Sequence, residues 1–129
     1  MNIYALPTQT LMACIIGAAA LTSADTAAAH HSFAMYDRET KITLTGTVSA
    51  FEWVNPHVAV KLLAAEQDGS TTEWTIEGAG TGVLRRKNWS AQSLQIGDKV
   101  TALISPLRDG RKGGSLVSVR KADGTVLEE

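Results

Sequence analysis

Three histidines are the residues of this sequence that best suit metal chemistry. His30 and His31 follow a run of alanines, and His57 follows a proline. Imidazole nitrogens are common metal ligands, and nitrogen ligands of this kind suit copper, which stands highest in the divalent affinity order. Copper is therefore the candidate cofactor, with His30, His31 and His57 as the candidate ligands.

The amino-terminal segment determines whether His30 becomes the first residue of the processed chain. Leu11 to Leu21 is an apolar run of signal-peptide length that is too short to span a membrane. Small residues follow and end in an A-x-A cleavage motif at residues 27–29. We expect residues 1–29 to be removed as a signal peptide and residues 30–129 to form a single domain. The processed protein would then be periplasmic or secreted.

The cleavage position leaves two copper geometries open. A cut after Ala29 gives His30 a free α-amine beside its imidazole, and His57 could complete a histidine brace. A cut one residue earlier gives the start Ala29-His30-His31, in which a histidine in third place chelates copper with the amine and backbone nitrogens. A third interpretation is that both histidines are solvated polar residues at a frayed end.

Composition excludes several functional classes. The full chain has 12 basic and 13 acidic residues, and loss of Asp25 with the signal peptide leaves the two signs balanced. A balanced surface gives no electrostatic reason to expect nucleic acid as a partner. Cys14, the single cysteine, also leaves with the signal peptide. The mature domain therefore has no disulfide, thiolate metal site or cysteine nucleophile.

A sharp corner between two predicted strands would position His57. Residues alternate in polarity through Val48 and Ala50, Asn55-Pro56 breaks the alternation, and Val58 resumes it. We expect strand one over residues 41–53 and strand two over residues 57–65. The adjacent apolar pair Ala50-Phe51, with Gly46 nearby, suggests a bulge or strong coiling in strand one. The corner between the two strands presents Trp53, Asn55 and His57 as a candidate ligand surface. The alternative for His57 is a structural role, in which its ring hydrogen-bonds to backbone at the corner.

The remaining elements predict an all-β fold. They are a third strand over residues 72–77, a short helix over 83–87, two strands over 99–104 and 115–120, and a final short strand over 125–127. We expect Thr81 to cap the helix and Asn88 to end it in a left-handed conformation. Three strands, a helix and two strands is the order of the five-stranded OB barrel. A small β-sandwich is the alternative, but it would need about two more strands.

Other side chains have simpler interpretations. Glu52, Glu73 and Glu77 alternate onto outward faces and are interpreted as solvated. Phe33 and Met35 are expected to dock the segment 30–40 on the barrel, since large apolar side chains are seldom left in water. Ser residues lie in no nucleophile-elbow context, so a hydrolase triad finds no support.

Several short motifs together resemble a family of secreted bacterial proteins known only as a domain of unknown function. They are HHSFAMYD after the signal, LTGTV, FEWVNPH, EW-x-IEG, L-x-R-x-x-W, GD-x-V and P-x-RDG-x-x-GG. The resemblance implies a small secreted β-domain and brings no reaction, substrate or cofactor.

The sequence favours a non-enzymatic binding domain of unknown ligand, with copper at the processed terminus as the sharpest candidate. The alternative is an accessory subunit, without a ligand of its own, that docks on a secreted or membrane oxidoreductase. A copper-dependent redox enzyme is the third interpretation, but it would also need a substrate surface.

Overall fold

The computed structural model describes residues 33–129, which contain a closed five-stranded β-barrel and a short additional strand. The elements in chain order are β1 (Ile42–Glu52), β2 (Ala59–Ala65), β3 (Thr71–Glu77), α1 (Thr81–Arg85), β4 (Lys99–Pro106), β5 (Gly113–Lys121) and β6 (Val126–Glu128). The predicted signal peptide, and with it His30 and His31, lies outside the described residues.

The barrel closes through a parallel pairing between β3 and β5. Antiparallel pairing joins β1 to β2, β2 to β3, β1 to β4 and β4 to β5, and the β3–β5 pair completes the ring. The short β6 pairs with the second half of β5. This topology, with α1 between β3 and β4, is that of the OB fold. The predicted all-β, OB-like barrel with one short helix between its third and fourth strands is confirmed.

The inward positions of the strands form one apolar core. Thirteen buried residues make up the cluster: Val48, Val58, Val60, Leu62, Ile76, Leu84, Trp89, Leu94, Val100, Ala102, Ile104, Leu116 and Val119. Trp74 is partly buried against the same cluster. Period-two alternation predicts the strand members of this cluster, because each strand has one solvated face, whereas Leu84, Trp89 and Leu94 come from α1 and the segment after it.

An irregularity bends β1 as expected. The register with β2 shifts between Val48 and Ala50, so Ser49 is the extra residue. The bulge lies three residues after Gly46 and explains why Ala50 and Phe51, which are adjacent, interrupt the alternation of the sequence.

Strand β5 begins two residues earlier than the sequence suggested. Gly113 and Gly114 were expected in the preceding loop, but they pair with Thr75 and Ile76 of β3. A Cβ on Gly114 would lie 2.6 Å from the Ser105 carbonyl oxygen. Glycine permits this close strand approach, and without it the barrel could not close here.

The start of α1 corrects one local prediction. Thr81 is the first residue of the helix rather than its cap, and the helix ends at Arg85. Asn88 adopts φ 65°, the left-handed conformation expected of it. Among residues 33–129, no helix is both long and apolar enough to cross a membrane.

Candidate functional site

The corner between β1 and β2, residues 53–58, is fixed by contacts with the segment that follows β3. The peptide bond between Asn55 and Pro56 is cis. The Asn55 side-chain oxygen accepts hydrogen bonds from the Thr81 backbone amide at 3.0 Å and from the Thr81 hydroxyl at 3.1 Å. Asn55 therefore caps α1 from a distant part of the chain. Its oxygen is occupied by this structural role.

Two backbone hydrogen bonds hold the corner beside the end of β3. The Gly78 amide donates to the Val58 carbonyl at 2.7 Å, and the Val58 amide donates to the Ala79 carbonyl at 3.2 Å. His57 consequently lies next to Glu77 and Gly78. Its Nδ1 is 3.2 Å from the Gly78 carbonyl oxygen and 3.2 Å from Glu77 Oε1.

These contacts assign the tautomer of the neutral His57 ring. Both neighbours of Nδ1 are acceptors, since a carbonyl oxygen and a carboxylate oxygen have no proton to donate. Nδ1 must therefore hold the ring proton, and Nε2 presents its lone pair. The side chain is 38% exposed, so the ring is accessible from solvent. A histidine with Nδ1–H bonded to backbone or carboxylate oxygen is oriented as metal-binding histidines usually are.

Tyr36 extends this network to the segment before β1. Its hydroxyl donates to Glu77 Oε2 at 3.1 Å, so both oxygens of Glu77 are engaged. Tyr36 is 5% exposed and forms an isolated β-bridge with Leu107. The three residues Tyr36, Glu77 and His57 form a continuous hydrogen-bonded chain, which we name the latch.

The segment before β1 docks differently from the prediction. Backbone hydrogen bonds run from the Asp37 amide to the Pro106 carbonyl at 2.8 Å and from the Arg108 amide to the Met35 carbonyl at 2.9 Å. Phe33 and Met35 remain 55% and 40% exposed. Tyr36 is the side chain that anchors the segment, because a phenol can be buried while its hydroxyl meets a carboxylate. The predicted docking of this segment on the barrel is therefore seen for residues 35–37, whereas the expected burial of Phe33 and Met35 is wrong.

Burial is the main cause of the shifted pKa values of two residues at or near the latch, Tyr36 and Glu129. Burial, followed by the Glu77 carboxylate, raises the pKa of Tyr36 to about 12. Burial also raises the pKa of Glu129, against the opposing influence of the Ala79 amide, Lys87 and His57. Glu129 Oε2 is buried and makes no hydrogen bond within the described part of the chain. It lies 3.0 Å from the position of a Cβ on Gly78.

The structure assembles part of the predicted ligand surface. Trp53 is partly buried, with its ring centroid 5.9 Å from that of Phe51. Asn55 faces α1, and His57 faces Glu77. The three residues share one corner, but each is engaged by a different neighbour. Between Phe33 and Glu129, no three His, Cys, Asp or Glu side chains form a group that could hold a metal ion.

Two members of the latch were missed in the sequence. Glu77 was interpreted as solvated, as Glu52 and Glu73 were, and no role was predicted for Tyr36. The signal was present in the motifs, because Tyr36 belongs to HHSFAMYD and Glu77 to EW-x-IEG. Their contact joins residues 41 positions apart. No local pattern predicts such a separation.

The fold and the latch define a small OB-like barrel protein with one half-exposed, oriented imidazole at a corner. The model of a family of unknown function, DUF6152, matches residues 19–117, and the chain belongs to this family. Searches of curated proteins and of solved structures gave no match.

Proposed function

We propose that this protein is a small periplasmic or secreted copper-binding domain. Its ligands are His57 and the histidines at the start of the processed chain, His30 or His31. The observation that best supports the proposal is the orientation of His57. Nδ1 lies between two acceptors, and the free lone pair is therefore on Nε2. Copper prefers such a neutral imidazole nitrogen.

The start of the described chain is tied to His57 through Glu77. The Tyr36 hydroxyl is 3.1 Å from one oxygen of Glu77, and His57 Nδ1 is 3.2 Å from the other. Residues 33–36 form a turn closed by a hydrogen bond from the Tyr36 amide to the Phe33 carbonyl at 3.3 Å. His31 precedes this turn by two residues. We propose that this short arm brings His30 or His31 to the exposed edge of His57.

Local charge also favours a cation at this corner. Glu77 Oε1 contacts His57 at 3.2 Å. A positive ion next to carboxylates is stabilised by simple Coulomb attraction, which is stronger where the groups are partly shielded from water. The proposed role is metal binding.

Titration of Cu(II) into a chain that begins at His30 tests the proposal. The strands of the described residues lie between residues 42 and 128, so this chain retains the barrel. We expect tight binding of one copper ion, and acetylation of the terminal amine should abolish it, because both geometries use that amine as a ligand. Circular dichroism of both proteins should be identical. Absence of binding at micromolar copper would overturn the proposal and leave the accessory-subunit interpretation.

The His57→Ala variant, made both in the chain that begins at His30 and in a chain that begins at Ala29, distinguishes the two copper geometries. In a brace, His57 supplies one imidazole, and its loss should weaken binding strongly. In a terminal Ala29-His30-His31 chelate, all nitrogens are local, and His57→Ala should change affinity little. The second result would confine the site to the terminus and exclude His57 as a ligand.

A further inference from the structure

The latch connects two features of the fold that lie far apart in the chain. One is the tautomer of His57 at the corner after β1. The other is the docking of residues 35–37 on the end of β4. Glu77 contacts both, since one oxygen meets His57 Nδ1 and the other accepts from the Tyr36 hydroxyl.

We propose that Glu77 and Tyr36 are positioning residues that prepare His57 for copper by holding the proton on Nδ1 and by tying residues 35–37 to the same carboxylate. This inference rests on the proposed function. Neither residue touches the metal. Glu77 holds the proton on Nδ1, and Tyr36 ties the terminal segment to the same carboxylate.

The geometry supports a cooperative unit rather than two separate contacts. Tyr36 is buried, so its hydroxyl needs a hydrogen-bond partner, because a buried hydroxyl without one would destabilise the folded protein. Glu77 is the partner, and a carboxylate that accepts a hydroxyl hydrogen bond is fixed in orientation. Its second oxygen is thereby held against His57. If the Tyr36 contact is removed, both the terminal segment and the carboxylate lose a constraint.

Coupling of this kind must act in both directions. If a seated segment favours copper binding, copper must in turn favour the seated segment. The Asp37 amide, bonded to Pro106, and the Arg108 amide, bonded to Met35, report seating directly. Copper should therefore slow hydrogen exchange at these two amides.

Three variants of the chain starting at His30 test the latch. Tyr36→Phe removes only the hydroxyl, Glu77→Ala removes the carboxylate, and Glu77→Gln keeps an acceptor for Nδ1–H. Glu73→Ala is the matched control, because Glu73 lies on the same strand and also accepts a hydroxyl hydrogen bond, from Ser49 at 3.3 Å. Losing a group that orients a metal ligand typically costs about 10- to 100-fold in affinity.

We expect Tyr36→Phe and Glu77→Ala to weaken copper binding by about 10- to 100-fold. Glu77→Gln should recover part of this loss, and Glu73→Ala should bind like the parent. Nitrogen-15 spectra of the metal-free proteins should show the Nδ1–H tautomer of His57 in the parent. Glu77→Ala should shift population toward Nε2–H, because Gly78 alone remains as acceptor.

A double-mutant cycle separates positioning from general destabilisation. If Tyr36 acts through His57, Tyr36→Phe should cost no further affinity once His57 is alanine. Equal losses in both backgrounds would overturn the proposal. So would a parent-like tautomer and parent-like exchange at Asp37 and Arg108 in both Tyr36→Phe and Glu77→Ala. A parent that binds no copper would overturn the proposed function instead, while the metal-free spectra would still decide whether the latch sets the tautomer.

Discussion

The Asn55 side-chain oxygen caps the helix that starts at Thr81, 26 residues further along the chain. It accepts hydrogen bonds from both the amide and the hydroxyl of Thr81. This contact joins the corner after β1 to α1. It therefore fixes the position of the corner that contains His57. The helix has no side-chain cap from its own N-cap residue, Gly80.

Replacing Asn55 by alanine should therefore destabilise the domain by about 1–2 kcal/mol, the usual cost of losing a helix cap. Asn55→Asp keeps an acceptor oxygen and places a negative charge at the helix start, so it should recover most of the loss. Urea denaturation of the three proteins measures both effects. An unchanged midpoint for Asn55→Ala would show that the cap contributes nothing to stability.

Two glycines beside α1 should respond in opposite directions to alanine. A Cβ on Gly80 would lie 2.8 Å from the Pro56 carbonyl oxygen and 3.1 Å from Asn55 Oδ1, whereas Gly82 has open space around that position. Gly80→Ala should cost about 1–3 kcal/mol through this clash. Gly82→Ala should stabilise by about 0.5–1 kcal/mol, because alanine loses less backbone entropy in a helix. Thermal melts of the pair check the prediction, and equal shifts would contradict the packing at Gly80.

A charge on the inner face of β2 should unfold the barrel. Val60 is 2% exposed within the core, while Leu63 on the outer face is 37% exposed. Val60→Asp buries an unpaired carboxylate, which costs several kcal/mol against a total stability of about 5–15 kcal/mol. Leu63→Asp is the control on the same strand and should keep a cooperative melt. A parent-like melt for Val60→Asp would mean that the strand register is shifted by one residue.

The raised pKa of Tyr36 predicts an alkaline loss of stability. The pKa rises from an ordinary 10.0 to about 12. Below pH 10 the phenol is protonated in both states, so it causes no pH dependence. Between pH 10 and about 12 the unfolded chain releases this proton while the folded protein retains it, and unfolding becomes more favourable as pH rises.

Comparison with Tyr36→Phe isolates this contribution, because the other titrating groups are unchanged. As pH rises from 10 toward 12, the urea midpoint of the parent should fall more steeply than that of Tyr36→Phe. The ultraviolet phenolate band that is present in the parent and missing in Tyr36→Phe belongs to Tyr36. It should appear only well above pH 10. A band that titrates at pH 10 would contradict the burial of this hydroxyl.

The local elements of this protein could be predicted because their causes are local. Alternation located the strands to within a few residues, and Asn88 took the left-handed conformation for which its side chain is suited. The adjacent apolar pair Ala50-Phe51 predicted a bulge, which the structure places at Ser49. The sequence of strands around one helix was enough to predict an OB-like barrel, because few topologies satisfy that order.

The candidate site depended on tertiary structure. His57 was recognised as chemically able to bind copper, but nothing in the sequence indicated which of its ring nitrogens would be free. That depends on Gly78 and Glu77, which β2–β3 pairing brings to the corner. Glu77 and Glu73 occupy equivalent outward positions on β3, yet only Glu77 meets Tyr36 and His57. Alternation can tell which face a side chain is on, whereas register and barrel closure decide what it meets there, because both depend on contacts between residues far apart in the chain.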